Sequence, residues 1–479
     1  MSPKRKNSGA RLRTGSPCEG SVLVIVLWIA LGLVSITLYF ASSMSLELRA
    51  ADNRVAGLTA DQAIEGGIRY VEYVLSTLGT NGTVPDLTSY QSEAVPIGES
   101  HIWLIGRAGD YQSQTQPDQV FFGLIDEGSK LNLNTVTVER LDLLTNMTPE
   151  LAANIVDWRS TNGATSANGD GPSVYSQFQP PYLCKNGPFE TIDELRLVYP
   201  MDMGTLVAED FNRNGALDPS ETDTNRNNIV DFGLLEFMTV YTREPNKRPD
   251  GSSRVNISIV TPATTELRTL LETNLSGGRL TAVSTAVGLV ASTPGGQRPG
   301  QGGGNNGGPG PVAPRVSASP LQFYLRSSMT ADEFAPIANS LTVAAGNYIH
   351  GRININTATP AVLSTLPGIT SDLVPQLITY RQSYPDKLTS IAWIADALGR
   401  TSSALTTLAA AGDLITTKSY QFTADIAALG PYGRGYRRVK CVLDTSSGTP
   451  QIIYRQDLSH LGWALGRYVR QAWLVTKDS

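Results

Sequence analysis

The chain has 479 residues, of which 41% are hydrophobic and 17% are charged, and its net charge is −5. This apolar content can fill sizeable cores, which excludes a wholly disordered chain, and the length predicts two to four domains. The acidic balance argues against a protein built around nucleic acid, which would normally be basic.

The first 20 residues are basic. They carry five Lys and Arg residues against Glu19 alone, a net charge of +4, which leaves −9 for the rest of the chain. Residues 22–41, which follow, contain no charged side chain and are about long enough to cross a hydrocarbon core of roughly 30 Å. Basic flanks stay in the cytoplasm, so we expect residues 43–479 to lie outside it.

Three interpretations of this apolar run are open. A secretory signal peptide would have a shorter apolar region and a small-residue cleavage site, and a simple anchor would need no cleavage. The third interpretation rests on Gly20, which lies at the boundary between the polar head and the apolar run. This arrangement resembles a type IV prepilin leader, which prepilin peptidase would cut so that the mature chain starts at Ser21.

Apolar residues continue at helical spacing beyond the uncharged run, through residues 44–78. This periodicity predicts one helix of about 55 residues, roughly 80 Å long, which leaves the membrane and docks on a globular domain. Residues 99–126 then contain two β-rich pieces on either side of a polar segment. They predict strands around a turn.

An internal repeat follows, because residues 131–159 align without a gap on residues 353–381. Each copy is predicted to form an extended N-x-N-T cap, a helix, a tight turn and a second helix, which is a helix-hairpin-helix pattern. A third, degraded copy is predicted at residues 254–272. The positions shared by the two full copies are Asn132/Asn354, Asn134/Asn356, Thr135/Thr357, Thr137/Thr359, Leu141/Leu363, Leu144/Leu366, Thr148/Thr370, Leu151/Leu373 and Arg159/Arg381.

Helix-hairpin-helix motifs that bind DNA present backbone amides of hairpin glycines to a phosphate. The second hairpin, residues 366–370, has one Gly, and the first, residues 145–148, has none. Few Lys or Arg residues flank either hairpin. We therefore predict packing or protein docking by these motifs, and no nucleic-acid partner.

The sharpest local motif is DFNRNGALDPSE, residues 210–221, which fits the calcium-loop pattern D-x-[DN]-x-[DN]-G-x5-E at every defined position. Ligands that are all oxygens suit calcium better than zinc. Since no helix clearly follows, we predict a structural calcium loop; the alternative is a polar Asn/Asp turn. The predicted ligands are Asp210, Asn212, Asn214, the carbonyl of Ala216, Asp218 through a water, and bidentate Glu221.

A second copy of the loop follows at residues 223–234. Its predicted ligands are Asp223, Asn225, Asn227 and Asp231. Asn228 replaces the turn glycine at some conformational cost, and Leu234 replaces the glutamate of the last position. We therefore expect a site that is weaker, shares ligands or borrows Glu236, and a polar turn is again the alternative.

No catalytic constellation is present, so the chain is not expected to be an enzyme. His101, His350 and His460 lie in unrelated contexts, and no metalloprotease, nucleophile-elbow or phosphate-loop motif occurs. With Cys18 in the leader, Cys184 and Cys441 remain. An even pair outside the cytoplasm could form one disulfide.

The C-terminal part is predicted to contain three strands, at residues 412–429, 434–445 and 450–458, and a short helix in the tail, 459–479. Ahead of them, residues 294–314 are almost entirely Gly, Pro, Asn and Gln. This composition is typical of a flexible linker.

Several of these segments, in this order and rough spacing, resemble general secretion pathway protein K, the large minor pseudopilin of bacterial type II secretion systems. The likeness covers most of the chain, and the Gly/Pro-rich linker looks like an addition. The segments that carry the resemblance are residues 20–28, 46–53, 130–135, 155–159, 185–201, 353–358 and 414–422.

The resemblance implies an α+β fold, in which a pilin-like long helix and antiparallel sheet carry an inserted α-helical domain with bound calcium. The expected parts are a leader (1–20), a transmembrane and long helix (21–80), a sheet part (81–128), a helical domain with the calcium loop (129–292), a linker (293–315), a second helix-hairpin-helix-like region (316–410) and C-terminal strands with a tail (411–479).

The same resemblance implies a single-pass inner-membrane protein with its globular part in the periplasm. It would lie at the tip of the pseudopilus with minor pseudopilins I and J and the other pseudopilins, start assembly and help export proteins across the outer membrane. Ordinary pilins carry Glu at mature position 5, where this chain has Ile25. A tip subunit has no neighbour above it to pair with a buried carboxylate, so an apolar residue is consistent with that place.

Two alternatives from other functional classes stay open. A membrane-anchored DNA-uptake receptor would use the helix-hairpin-helix repeats to bind duplex DNA, with a steep dependence on salt. A minor pilin of another type IV pilus system would share the anchor and the calcium loop.

Overall fold

The computed structural model describes four stretches of the chain. The predicted leader residues 1–18, including Cys18, and nearly all of the predicted linker 293–315 lie outside them. The described residues are 19–107, 118–163, 165–290 and 315–475.

One long helix begins the structure. Helix α1 runs from Glu19 to Leu78, 60 residues or about 90 Å. By length and composition it is the one helix in the described part of the chain that could cross a membrane, and its apolar window has no buried residue. The second half of α1 packs against the rest of the protein, and its residues Ala60, Ile64 and Val71 are buried. The predicted helix, apolar first and docked second, is confirmed.

The remaining described helices are short. They are α2 (Val138–Leu141), α3 (Pro149–Trp158), α4 (Met203–Val207), α5 (Leu234–Phe237), α6 (Thr265–Asn274), α7 (Gly277–Val287), α8 (Pro320–Ser327), α9 (Ala331–Ala338), α10 (Pro360–Leu363), α11 (Val374–Ser383), α12 (Trp393–Leu398), α13 (Ser403–Ala410) and α14 (Gly466–Val475). Four of them, α2, α3, α10 and α11, lie in the two predicted repeats.

The strands divide into one large sheet and several two-stranded pairs. They are β1 (Val95–Ile97), β2 (Ser100–Ile105), β3 (Ile125–Asp126), β4 (Leu131–Asn132), β5 (Met238–Thr239), β6 (Arg243–Pro245), β7 (Val255–Asn256), β8 (Ile259–Val260), β9 (Arg315–Val316), β10 (Leu341–Thr342), β11 (Tyr348–His350), β12 (Ile353–Asn354), β13 (Ile415–Thr416), β14 (Gln421–Leu429), β15 (Arg437–Asp444) and β16 (Gln451–Asp457).

The large sheet is antiparallel and joins both ends of the chain. Its order is β1-β2-β14-β15-β16, and β3 also pairs with β14. Because β2 and β3 come from the N-terminal part and β14 comes from the C-terminal part, almost everything between them is an insertion into the sheet. The predicted C-terminal strands are confirmed, although the first of them begins at Gln421 and the preceding residues form β13.

Helix α1 covers one face of this sheet. Ile64, Ile68 and Val71 share a hydrophobic core with Ile102 and Ile426. The helix approaches closely because a Cβ at residue 67, a glycine, would lie 2.7 Å from a methyl carbon of Ile102. This arrangement of a long helix on an antiparallel sheet, with an inserted helical region, is the α+β architecture expected from the sequence.

The inserted region has a core of its own. Buried residues from Leu131 to Ile415 form one continuous cluster, so the parts before and after the linker pack together. The repeated segments open with strands in equivalent places, because β4 pairs in parallel with β5 and β12 pairs in parallel with β13.

The Asn residues of the two repeats make equivalent contacts. The side-chain oxygen of the first Asn accepts a hydrogen bond from the backbone N–H of the second, at 2.8 Å for Asn132 and Asn134 and at 3.0 Å for Asn354 and Asn356. The amide of the second Asn donates to a backbone carbonyl in a later loop, at 3.0 and 2.9 Å. These bonds fix the tight entry into each helix pair.

The arginine that ends each repeat also makes equivalent contacts in the two copies. Arg159 and Arg381 each donate to two backbone carbonyls that lie 26 and 23 residues earlier. Burial lowers the pKa of Arg159 to about 10. Each guanidinium therefore satisfies buried carbonyl groups at the start of its own repeat.

Replacing Arg381 by Met should lower the free energy of unfolding of the inserted region by about 2–4 kcal/mol, because two carbonyls lose their donor. Tryptophan fluorescence during urea unfolding reports the change, since Trp393 lies in the same core. Lys387→Met is the control, because among the described residues its ammonium pairs with the exposed Asp332 alone. Equal unfolding midpoints for the two variants would show that the Arg381 contacts contribute nothing.

Candidate metal centre

The first predicted calcium loop forms a closed turn around its acidic residues. The carboxylate of Asp210 accepts hydrogen bonds from the backbone N–H groups of Asn214 at 2.8 Å and Gly215 at 2.9 Å. Gly215 has a φ of +79°, the left-handed conformation that a glycine adopts at little cost. The side-chain oxygen of Asn212 accepts from the N–H of Asn214 at 3.0 Å.

Glu221 closes the loop from its far end. Its carboxylate accepts from the N–H groups of Asn212 at 3.1 Å and Asp218 at 3.0 Å. The amides of Asn212 and Asn214 in turn both meet one carboxylate oxygen of Asp218, at 2.6 and 2.8 Å. The side chains predicted to bind a cation are thus linked to one another and to the loop backbone by hydrogen bonds.

The electrostatics of this loop favour the binding of a positive charge. Burial raises the pKa of Asp210, although Arg107 opposes the shift. Burial, together with the charges of Asp210 and Asp218, raises the pKa of Glu221 to about 7. A hard cation with oxygen ligands would offset these costs. The donor chemistry therefore fits calcium, although within the described residues no three His, Cys, Asp or Glu side chains form a ready-made cluster.

The second loop repeats the hydrogen bonds of the first. The carboxylate of Asp223 accepts from the N–H groups of Asn227 at 3.2 Å and Asn228 at 2.9 Å. The amide of Asn225 donates to Asp231 at 2.6 Å. Asn228 has a φ of +58°, so it takes the left-handed conformation expected of the residue that replaces glycine. This loop is more exposed than the first.

Sequence reasoning missed the carboxylate that completes the second loop. Glu209 is buried, and its carboxylate accepts from the N–H groups of Thr224 at 2.6 Å and Asp231 at 3.1 Å. The bond to Asp231 is equivalent to the bond that Glu221 accepts in the first loop. Glu209 therefore occupies the place left by Leu234, and its only signal in the sequence is that it precedes the first loop directly.

Glu236, the residue expected to be borrowed, faces a different partner. Its carboxylate lies 2.8 Å from the Nε of Arg107, which follows β2. Arg107 also donates to the carbonyl of Arg213 at 3.2 Å and lies 3.9 Å from Asp210. Glu209 thus contacts the second loop, and Glu236 instead helps to bind the first loop to the sheet.

The strongest link between the first loop and the sheet is Arg438 on β15. Its guanidinium is fully buried and forms an ion pair with Asp425 of β14 at 2.7 Å. It also donates to the carbonyls of Asn212 and, at 2.7 Å, Arg213. Ala216, the predicted carbonyl ligand, packs in the core on the other face of the sheet from α1. The metal loop therefore lies at the junction between the inserted region and the sheet.

The C-terminal segment holds the same loop from another side. The amides of Asn212 and Asn214 donate to the carbonyls of Trp463 and Ala464, both at 3.2 Å. These two bonds join the first loop to a segment about 250 residues later in the chain.

The suggested disulfide is not formed. Cys184 and Cys441 are both free and buried. Cys184 lies in the core of the inserted region, whereas Cys441 lies between the sheet and α1. Burial raises the pKa of the Cys441 thiol to about 11. The two cysteines do not form a disulfide, because one lies in the core of the inserted region and the other lies in the core between the sheet and α1.

The pH dependence of the metal-free protein follows from Glu221. Its pKa in the fold is about 7, above the ordinary value of 4.5, so the folded state binds this proton more tightly than the unfolded state. Stability of the metal-free protein should therefore decrease as the pH rises from about 4.5 to about 7. Melting temperatures of metal-depleted protein at several pH values test this. If Glu221→Gln leaves the slope unchanged, Glu221 is not its source.

Comparison with known proteins supports the resemblance seen in the sequence. Residues 129–207 match the family model of type II secretion system (T2SS) protein K; this stretch contains the first repeat and ends just before the first metal loop. Among solved structures, the GspK–GspI–GspJ complex of the enterotoxigenic Escherichia coli type 2 secretion system matches with a TM-score of 0.40 and 12% identity, over 86% of this chain and 99% of that chain. Curated protein sequences give no match. The resemblance to protein K of the type II secretion system is thus confirmed by a family model over residues 129–207.

Proposed function

We propose that this chain is a minor pseudopilin at the tip of a type II secretion pseudopilus, where it starts assembly and helps export proteins across the outer membrane. The observation that carries the proposal is the protein K match of residues 129–207. It occurs in an insertion between strands of a sheet that packs on a 60-residue N-terminal helix.

The anchor supports this placement. The basic head and the apolar half of α1 fit a single-pass inner-membrane protein with its globular part in the periplasm. Ile25 lies in the apolar half, where a carboxylate would need a partner from the next subunit. An apolar residue at this position suits the first subunit of a fibre, which has no such neighbour.

The bulk of the insertion supports a capping role. The large sheet and α1 form the part that other pilin-like subunits would pack against, and the inserted region adds a second core beside it. Growth of the fibre from the membrane would then push secreted proteins through an outer-membrane channel. This proposed role is mechanical and requires no catalysis by the chain.

Minor pseudopilins I and J are the proposed direct partners, with other pseudopilins below them. Co-purification of the full chain with I and J, with and without a chelator, tests this assignment. Recovery of a complex supports it, and failure with calcium present contradicts it. Duplex-DNA binding at about 50 mM salt that vanishes by about 200 mM would instead favour the DNA-uptake alternative.

The metal loops are proposed to hold calcium as a structural ion. The first loop would use the side chains of Asp210, Asn212, Asn214 and Glu221, and the second would use Glu209 with its own Asp and Asn residues. When bound, calcium neutralises carboxylates that the fold buries. The chain's own residues then keep the inserted region fixed on the sheet, through Arg438 and the other loop contacts.

Processing at the leader gives a direct test of the pilin-like biogenesis. Co-expression with a prepilin peptidase should yield a chain that begins at Ser21, whereas Gly20→Leu should block the cut. Mass spectrometry of the purified chain distinguishes the two products. Ser16→Leu, a matched change inside the leader, should leave cleavage intact. Release of a shorter chain from the Gly20 variant would point to a signal peptidase instead.

A further inference from the structure

A basic cleft lies at the end of α1 opposite its apolar half. The cleft has a volume of about 310 Å³ and forms where the loop after α1 meets the loops after β6, before β14 and after β15. It is separate from the metal loops, which lie on the other side of the sheet from α1. Its volume is at the lower end of the range for small-ligand sites.

The lining of the cleft is strongly positive. Lys247, Arg248, Arg254 and Lys418 face it, and among the described residues that line it none is Asp or Glu. Arg254 pairs at 2.6 Å with the buried Glu244. That carboxylate is also shared with a second guanidinium, at 2.9 Å, so it supplies no surplus negative charge to the cleft.

Nearby carboxylates are engaged elsewhere. Asp444 pairs with Arg243, and Asp250 accepts from the N–H of Ser252 at 2.8 Å. Among the described residues, neither carboxylate forms an ion pair with Lys247 or Lys418.

Three donors of the cleft have no partner. Within the described part of the chain, Lys247 and Lys418 form no ion pair, and the Nε of Arg248 is buried without a hydrogen-bond acceptor. Burial and the charge of Arg254 lower the pKa of Lys418, against the attraction of Glu244. An uncompensated, partly buried ammonium is costly unless a ligand supplies the negative charge.

The floor of the cleft is held in shape by a close contact. Gly82 has a φ of +72°, and a Cβ there would lie 2.7 Å from the ring of Tyr420 and 3.0 Å from the Cβ of Lys418. The carbonyl of Gly82 also accepts from the N–H of Ser419 at 3.0 Å. The loop after α1 and the segment before β14 thus fix the backbone position of Lys418.

We propose that this cleft binds the phosphate group of a small ligand or of a lipid headgroup. Several cationic donors around a narrow cleft suit a doubly charged, tetrahedral oxyanion, because each of its oxygens can accept a charge-assisted hydrogen bond. Tyr420 and Ser447 also line the cleft, and the hydroxyl of Ser447 donates to the carbonyl of Thr449 at 3.2 Å. The cleft lies at the end of α1 opposite the apolar half of the helix. It is therefore distant from the bilayer that would anchor α1.

Phosphorus NMR of the full chain in detergent tests the proposal with inorganic phosphate as the probe. The protein is loaded with calcium and desalted first, so that the metal loops are unaffected. We expect saturable broadening of the phosphate signal that sulfate reverses and acetate does not. Lys247→Met combined with Lys418→Met should weaken phosphate binding by about tenfold or more, because two charge-assisted contacts are lost.

Lys387→Met is the matched control, because it removes an exposed ammonium that does not line the cleft. The control should bind phosphate like the natural chain. A soluble short-chain phosphatidic acid, titrated in parallel, distinguishes a lipid headgroup from free phosphate by its relative affinity. Broadening that does not saturate, or that is equal in the double variant and the control, would overturn the proposal.

Discussion

Removal of calcium is expected to lower the melting temperature of the full chain by roughly 10 °C. In the first loop, Asp210 and Asp218 are buried and Glu221 is half-buried. A cation that binds only the folded state stabilises it by about 4 kcal/mol when present at roughly 1,000 times its dissociation constant. Each kcal/mol shifts the melting temperature by about 2–4 °C in a domain of moderate size.

Thermal unfolding in detergent, after chelation and again after calcium is restored, measures this effect. Asp210→Asn should reproduce most of the loss in calcium-containing buffer. Asp386→Asn is the control, since this exposed carboxylate lies in a short turn of the inserted region. A chelated protein that melts at the same temperature as the loaded protein would refute the structural role of the loop.

The contributions of the two loops to calcium binding can be distinguished by measuring the number of bound calcium ions in variants of each loop. Glu221→Gln should abolish binding in the first loop, and Glu209→Gln should abolish it in the second, because each glutamate closes one loop. Metal analysis of the desalted protein should therefore show one ion fewer for each variant. If Glu209→Gln retains the same calcium content as the natural chain, Glu209 does not complete a site.

Replacing Arg438 by Met is expected to cost about 3–5 kcal/mol of unfolding free energy. The change leaves Asp425 buried without its ion-pair partner and removes the donor from two loop carbonyls. Breaking one side of a buried ion pair is strongly destabilising, because the remaining charge is uncompensated. The first metal loop should also detach from the sheet.

The neighbouring residue supplies a matched control. Arg437 lies on the same strand, but its ion pair with Asp61 is exposed, so Arg437→Met should cost at most about 1 kcal/mol. Urea unfolding gives the energies, and protease cleavage within residues 210–234 reports detachment of the loop. Combining Arg438→Met with Asp425→Leu should recover part of the stability. Equal losses for the Arg437 and Arg438 single variants would contradict the proposed role of Arg438.

Much of the fold is encoded locally and could be read from the sequence. The periodicity of residues 44–78 predicted the continuation of α1, and the three strands predicted near the C-terminus correspond to β14, β15 and β16. The Asn positions shared by the two repeats make the same hydrogen bond in both copies. These predictions succeeded because helices, strands and caps depend on residues a few positions apart.

The turns of the two Asp/Asn-rich loops were predictable for the same reason, but only in part. Asp210, Gly215 and the residues between them form a turn through bonds that span at most 5 residues. Asn228 adopts the conformation expected of its position. Glu209 was missed, since its contact with Asp231 spans 22 residues across two loops. The spacing rule for one loop contains no information about a ligand from another.

The sequence by itself determined the long N-terminal helix, the repeat, the turns of the two Asp/Asn-rich loops and the family resemblance. Only the tertiary structure decided that Cys184 and Cys441 lie in different cores, and that the first loop meets the sheet through Arg438. The contact between Arg438 and Asn212 spans 226 residues. Such contacts depend on how the insertion packs against the sheet, and packing is a property of many side chains together. Local periodicity therefore cannot predict them.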